Sequence, residues 1–491
     1  MAMYHREPCQ EGFLVLDGEA VLIIEGEDRA LKRWDYVHCP GDVPHVIVSA
    51  GDGALGLAVG SRVPQGGARS TRSTKRRCSM ARASRSRRAS RKRRTRGSAS
   101  SKHRCPARSS CRANEVTRLV AVTQDELYAT LDLELSWSEQ ALPEHVRTKH
   151  VHRLHPYHGK FIPQLVEVLL DRYFTAGAHV LDPFAGSGTT LVQALESGLD
   201  ATGVELAAFN CLLIDVKTRP YDVEALGVEL REVCARLDSL PTKRRATSAY
   251  VREWYAPGAI AQLLAFGDLV DDYEHRDVLR VILSRAARSA RRAAHFDLEA
   301  PQEAQTGEYW CYKHKRMCRP VESAVGFLRR YTLDTLARIE AFAGVRDGAC
   351  AASVVQADSR TVEYDAAFDG VVTSPPYPGL IDYHEQHRYA YELLGLDDAR
   401  ELELGAAEAG TSRAAIEAYT EGIACALANA AAALARDAPL AIVVNDRRNL
   451  YPAILERAGL RLDERLRRHV NRRTGRRAGE YFEDVLVVRK L

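Results

Sequence analysis

The sequence predicts an α/β protein: a mostly parallel sheet interrupted by a helical insertion, preceded by a small all-β fragment and a basic linker. Three observations predict it. Residues 116–491 alternate short apolar runs with helical patterns, as layered α/β folds do. A glycine turn, "DPFAGSGTT", follows one of those runs, and a proline turn, "TSPPYPG", ends another. Both turns fall where strands end, and open α/β sheets bind ligands beyond the carboxyl ends of their strands.

From the N-terminus, "GFLVL", "AVLIIEGE", "DYVHCP" and "HVIVSAG" read as short strands parted by Gly, Asp and Pro, so residues 1–64 form a β fragment. These residues resemble the cupin family, whose small barrels place histidines and a carboxylate around a metal. The resemblance implies His5, Glu11 and His45 as ligand candidates. The paired histidines of the family's first motif are reduced here to His5, and strands needed to close a barrel are missing. A structural remnant without metal is the expectation.

Residues 65–115 are rich in Arg, Ser, Ala and Thr, and between 68 and 112 stand 18 Lys and Arg with no Asp or Glu. So little apolar surface cannot offset chain entropy, which predicts a disordered linker. An arm that neutralises nucleic-acid phosphates and a junction of fused coding sequence are the other readings. Removing those 18 charges from the overall +4 leaves −14 on the rest, so any case for nucleic acid rests on local clusters.

Within 116–491, strands are expected at "AHVLDPF", "DATGVEL", "ASVVQAD", "FDGVVTSPP", "PLAIVVND" and "EDVLVVRK". Between the second and third, residues 222–350 are mostly helical in pattern. That is too long for one crossover and predicts a helical subdomain, a candidate target-recognition region. No apolar run approaches the roughly 20 residues of a spanning helix, and the N-terminus lacks a signal segment. The 11 cysteines follow no disulfide framework. A cytoplasmic protein with reduced thiols, and no membrane partner, is expected.

The glycine turn discriminates between cofactors. A phosphate-cradling loop wants Lys after its last glycine, but Gly188 is followed by Thr189 and Thr190. A dinucleotide fingerprint wants a small residue three places on, where Leu191 stands. The leading Asp182 suits a cation instead. S-adenosyl-L-methionine, with a sulfonium, an ammonium, a ribose, an adenine and no phosphate, fits these residues. Asp182 is expected to face its amino-acid end, with Phe184, Gly186, Ser187, Gly188 and Thr189 forming the cradle. The helix that follows offers amides to a carboxylate. Glu205, closing the next strand, is placed for ribose hydroxyls, and Asp358, closing the third, for adenine.

At the proline turn, Ser374, Pro375, Pro376 and Tyr377 reach the same edge. The lone pair of an exocyclic base amine is delocalised into its ring, so methylation needs acceptors that draw the N–H bonds aside. Ser374 Oγ and the Pro375 carbonyl can accept, the two prolines fix φ and remove competing donors, and Tyr377 can stack on an extruded base. "DPFAGSGTT" together with "TSPPY" resembles the amino-methyltransferases of DNA, which modify cytosine N4 or adenine N6, over roughly residues 150–491. The resemblance implies a Rossmann-like S-adenosylmethionine methyltransferase sheet and double-stranded DNA as partner. It also implies a cofactor role for Lys160 and Phe161 in "HPYHGKFIPQ". Ser before the proline pair leans toward cytosine N4, where Asp or Asn would lean toward adenine N6. A restriction-system modification enzyme with a cognate endonuclease, or a solitary methylase, follows. RNA or protein N-methylation, and a non-catalytic nucleic-acid-binding or cupin-type module, are the rivals.

Arg285, Arg288 and Arg292 recur at helical spacing and could track phosphates. Arg467 and Arg468, with Arg472, Arg473, Arg476 and Arg477 around a glycine turn, could clamp them from a loop. His384, Glu385 and His387, just after the proline turn, are candidates either for the target pocket or for capping a helix. "CYKHKRMC" aligns Cys311, His314 and Cys318 but shows no fourth ligand, so no metal is expected there.

Overall fold

The computed structural model describes residues 133–137, 142–470 and 481–491, apart from 158, 160–161, 241–244 and 299–300, together with parts of 11–61. The chain divides into two compact units, Met1–Glu115 and Val116–Leu491.

In the first unit, six strands, β1 (Glu11–Asp17), β2 (Ala20–Ile24), β3 (Glu27–Leu31), β4 (Tyr36–Cys39), β5 (His45–Ser49) and β6 (Gly56–Ser61), form two antiparallel sheets, ordered β4-β1-β6 and β3-β2-β5. Phe13, Val15, Ala20, Leu22 and Leu31 make its small core. His5 and the basic linker 65–115 lie outside the described residues, and Glu11 and His45 are described only as strand backbone, so the metal reading of these three lies outside what is described.

The second unit is built on a seven-stranded sheet in the order β11-β8-β7-β12-β13-β15-β14. Its strands are β7 (His179–Asp182), β8 (Asp200–Glu205), β11 (Ala352–Gln356), β12 (Gly370–Thr373), β13 (Leu440–Val444), β14 (Leu460–Val470) and β15 (Tyr481–Lys490). β11, β8, β7, β12 and β13 run parallel, β15 runs antiparallel to β13, and the edge strand β14 is antiparallel to β15. The central β12 and β13 are buried throughout, which explains their unbroken apolar runs. Chain order reverses between β7 and β12. That is the switch point at which such sheets open a crevice.

One strand of this sheet was not expected. β14 reads "LRLDERLRRHV", a charged sequence that masks its alternation, and it lies at the sheet edge, where charged side chains deter further pairing. Arg467 and Arg468 therefore belong to a strand, not to a loop clamp. The Arg467 guanidinium stacks 4.8 Å over Phe482, while Arg468 is buried against Glu483 at 2.9 Å and the Leu135 carbonyl at 3.3 Å. Arg472, Arg473, Arg476 and Arg477 lie outside the described residues.

Between β8 and β11 the chain forms a helical body that includes the helices Val223–Arg236, Pro257–Leu269, Arg276–Ala290 and Val325–Ala343 and the hairpin β9 (Tyr309–Cys311) and β10 (Arg316–Cys318). The helix Arg276–Ala290 is buried on nearly every side, because Ala286, Ala287 and Ala290 let its neighbours approach closely. Arg285 is consequently not a phosphate-tracking residue. It pairs with Asp334, donates to Thr335 Oγ1 and stacks 4.4 Å over the Tyr331 ring. Arg288 and Arg292 are half-buried. No helix among the described residues is long and apolar enough to cross a membrane.

Arg285→Ala should therefore lower stability rather than DNA affinity. Asp334 keeps Arg338, so the cost should be about 2 kcal/mol, below the roughly 3–5 kcal/mol for a buried pair left with no partner. Denaturant unfolding measures it, and weakened DNA binding at unchanged stability would contradict the assignment.

Candidate active site

β7 ends at Asp182, and the chain turns sharply through residues 183–188 before entering the helix Thr189–Glu196. Gly186 and Gly188 have φ of 54° and 77°, in the left-handed region. A Cβ on Gly186 would stand 3.0 Å from the Tyr157 hydroxyl, and one on Gly188 2.9 Å from Ile214 Cγ1. The loop is also pinned from outside. Buried Lys217 donates to the Ser187 carbonyl, and the Gly186 amide donates to Glu205 Oε2 at 2.7 Å. The other Glu205 oxygen accepts from the Ala207 amide at 2.8 Å, so the acid at the end of β8 is oriented by two main-chain donors. Burial, opposed by those hydrogen bonds, pushes its carboxyl up to about 7.

Asp182 does not face the cleft. It is fully buried, accepting from Thr190 Oγ1 and Thr373 Oγ1, each at 2.6 Å, and from the Phe184 amide at 3.1 Å. The expected contact with a ligand's cationic end is replaced by a tie between the glycine loop and the proline turn. Burial raises this carboxyl to about 6.

β12 delivers the proline turn beside the loop. The Ser374 hydroxyl donates to the Val443 carbonyl at 3.0 Å, and the Tyr419 hydroxyl donates to the Pro376 carbonyl at 2.9 Å. Pro375 is buried, Tyr377 is half-buried at the tip, and Ser374 and Pro376 line the cleft.

That cleft encloses about 820 Å³ of space, open solvent at its mouth included. Its walls bring together Phe184, Gly186, Ser187, Thr189, Glu205, Asp358, Ser374 and Pro376 from the expected set; Gly188 stands behind them as the helix N-cap. Asp358 reaches the wall with its carboxylate gripped by Arg360, whose Nε lies 2.9 Å from both oxygens. Lys160 and Phe161 lie outside the described residues, but Tyr157 from the same segment lines the cleft and stacks on Tyr383, ring centroids 5.4 Å apart. Buried His384 also lines it. Its Nε2 accepts the Ala399 amide at 3.2 Å, so its Nδ1–H donates to Glu403. His387 turns into an aromatic cluster with Phe209 and Tyr157, and Glu385 pairs with Arg388 and Arg400. Neither Lys nor Arg is among the described residues of the cleft wall, whereas Glu205, Asp358 and Glu403 are.

Away from the cleft, His295 joins Cys311, His314 and Cys318, a fourth ligand where the sequence motif offers three.

Asp182 and Glu205 hold their protons more tightly folded than unfolded, where carboxyls titrate near 4. Their contribution is full below about pH 4 and is lost as pH rises through 6 and 7. The unliganded protein should lose stability over that window. Glu205→Gln should flatten part of the slope in unfolding curves taken across it, and an unchanged slope would refute the elevated carboxyl.

With this geometry established, similarity to known proteins becomes informative. Residues 95–215 match the family model described as DNA methylase, and residues 2–59 match that of the cupin domain. The type II methyltransferase M.MjaII of Methanocaldococcus jannaschii is 35% identical over 448 residues, covering 74% of this chain and 84% of that protein. The type II methyltransferase M.BsoBI of Geobacillus stearothermophilus is 22% identical over 288 residues, covering 53% and 56% of the two chains. M.MvaI of Kocuria varians, also a type II methyltransferase, is 21% identical over 252 residues, covering 46% and 53%. The 35% identity to M.MjaII, matched along most of that protein's length, shows the family: the chain belongs to the S-adenosylmethionine-dependent DNA amino-methyltransferase family.

Proposed function

We propose that this protein methylates the exocyclic amine of a base flipped out of double-stranded DNA, and that the base is cytosine, modified at N4. One observation supports the reading above the others: the glycine loop and the proline turn open into a single cleft walled by Glu205, Asp358 and Glu403, with no cation among its described lining residues. A phosphate-bearing cofactor would meet repulsion there, and a sulfonium would not.

The left-handed turn at Gly186, in the cleft wall, fits close approach of a ligand to the main chain. In this reading Phe184, Ser187 and Thr189 flank the methionyl end, Glu205 accepts from the ribose hydroxyls, and Asp358 with its paired Arg360 lies toward the adenine. The bound cofactor supplies an electrophilic methyl group on sulfur. The chain's own work is orientation. Ser374 has spent its proton on Val443, so its oxygen lone pairs are left to accept an amine N–H. The rigid Pro375–Pro376 backbone aligns a second acceptor, and the Tyr377 ring stacks on the base. With the methyl group supplied by the bound cofactor, Ser374 and the Pro375 carbonyl would hold the amine lone pair toward it, and the amine proton would leave to solvent. No covalent bond to the protein forms. Ser in place of Asp or Asn before the prolines favours cytosine over adenine. Service as the modification enzyme of a restriction system, with a cognate endonuclease, belongs to the same proposal.

Expression in a host lacking DNA methylation, followed by nucleoside mass spectrometry, tests it. N4-methylcytosine is the expected product, N6-methyladenine would overturn the base, and unmodified DNA from folded, cofactor-binding protein would overturn the substrate. Tyr377→Ala should lower kcat/KM about 5- to 150-fold, the factor equivalent to roughly 1–3 kcal/mol of base stacking.

Cofactor affinity should also depend on pH. A ribose hydroxyl donates best to an ionised Glu205, so binding should tighten as pH rises through about 7 and then level off. Calorimetry with S-adenosylmethionine reads this directly, and a dependence that persists in Glu205→Gln would assign it to another group.

A further inference from the structure

The hairpin β9–β10 is poorly explained by packing alone. Each strand has three residues, and Trp310, Tyr312 and Met317 are 47%, 63% and 53% exposed, so it buries little apolar surface of its own. Isolated two-stranded hairpins are marginal in water. Yet the turn is well formed, with the Lys315 amide donating to the Cys311 carbonyl at 2.8 Å and Lys315 itself at a φ of 53°. What the hairpin does bury is Cys311 and Cys318, both free thiols.

Those thiols meet two imidazoles. His314 comes from the hairpin turn, with Nδ1 3.5 Å from Cys318 Sγ. His295 comes from the segment after the helix Arg276–Ala290, with Nδ1 4.0 Å from Cys311 Sγ, and its backbone amide donates to the Tyr309 hydroxyl at 3.1 Å, which ties that segment to the hairpin. One ligand atom from each of the four residues lies within 4.8 Å of the other three. Zinc with two thiolates at about 2.3 Å and two imidazoles at about 2.0–2.1 Å has ligand–ligand edges of roughly 3.3–3.8 Å. The four donors thus need to close by no more than about 1.5 Å.

We propose that His295, Cys311, His314 and Cys318 bind a structural zinc ion that staples the hairpin to the helical body. Two sulfur and two nitrogen donors in a compact set select zinc over the hard, oxygen-seeking cations. With four protein ligands no coordination position remains for substrate, so the ion holds structure and takes no part in methyl transfer. Binding displaces the protons of both thiols, leaving a neutral zinc–dithiolate centre. The proposal does not depend on which base the enzyme modifies.

The test is metal analysis of the full-length protein purified with zinc in the growth medium. About one zinc per chain is expected, lost from the Cys311→Ser/Cys318→Ser and His295→Ala variants and retained by Cys234→Ser, which removes a thiol elsewhere. His314→Cys should keep the ion where His314→Ala does not, since three thiolates and one imidazole also suit zinc. Should the ligand variants fail to fold, the parent protein suffices. Stripping zinc with a chelator should make two further thiols reactive, and cobalt added in its place should give a tetrahedral spectrum with thiolate charge-transfer bands. Absence of zinc from the parent, zinc that survives the double cysteine variant, an octahedral cobalt spectrum, or a disulfide between Cys311 and Cys318 would each overturn the proposal.

Discussion

A single buried carboxylate joins the two motifs on which this site depends. Asp182 takes one hydroxyl hydrogen bond from Thr190, in the first turn of the helix after the glycine loop, and another from Thr373, the last residue of β12 before the proline turn. Removed from water, it is held by short local bonds, and the low dielectric around it makes each of them stronger than at a surface. Its two oxygens therefore fix the distance between the glycine loop and the proline turn, the proposed seats of cofactor and base. A transfer reaction between two bound groups requires that this distance be set before either arrives.

Other buried polar contacts act around that tie. Lys217 holds the loop from below through the Ser187 carbonyl, and Glu205 holds its Gly186 amide. The Tyr419 hydroxyl grips the Pro376 carbonyl and Ser374 is anchored on Val443, so the turn is supported from two neighbouring elements. The cleft between them is walled by carboxylates and aromatic rings. That lining suits a positively charged, phosphate-free cofactor, whereas the same sheet with Lys or Arg in the loop would suit phosphates.

The helical body between β8 and β11 shows how burial redirects charge. Arginines at helical spacing look like one exposed face, but the alanines between them let other helices pack against every side of Arg276–Ala290, and Arg285 is spent on Asp334 and Tyr331. The zinc proposal has the same origin: His295 is remote in sequence from the Cys-His-Cys run and meets it only because the helix before it ends beside the hairpin.

Much of this protein was legible in its residues. Local chemistry determined the parallel strands, whose apolar runs need burial on both faces, the glycine turn, because glycine admits the left-handed backbone such a turn needs, and the class of cofactor, because the loop lacks the lysine a phosphate needs. The place of Ser374 and the two prolines just beyond the end of β12 was readable as well, because a proline pair cannot continue a central strand. What only the tertiary structure decided involves partners far apart in the chain. Whether Asp182 faces a ligand or Thr373, whether Arg468 clamps a phosphate or pairs with Glu483, and whether "LRLDERLRRHV" is a loop or an edge strand each turn on which groups arrive from elsewhere. A sequence specifies the donors and acceptors it carries, and packing alone chooses which of them are taken out of water together.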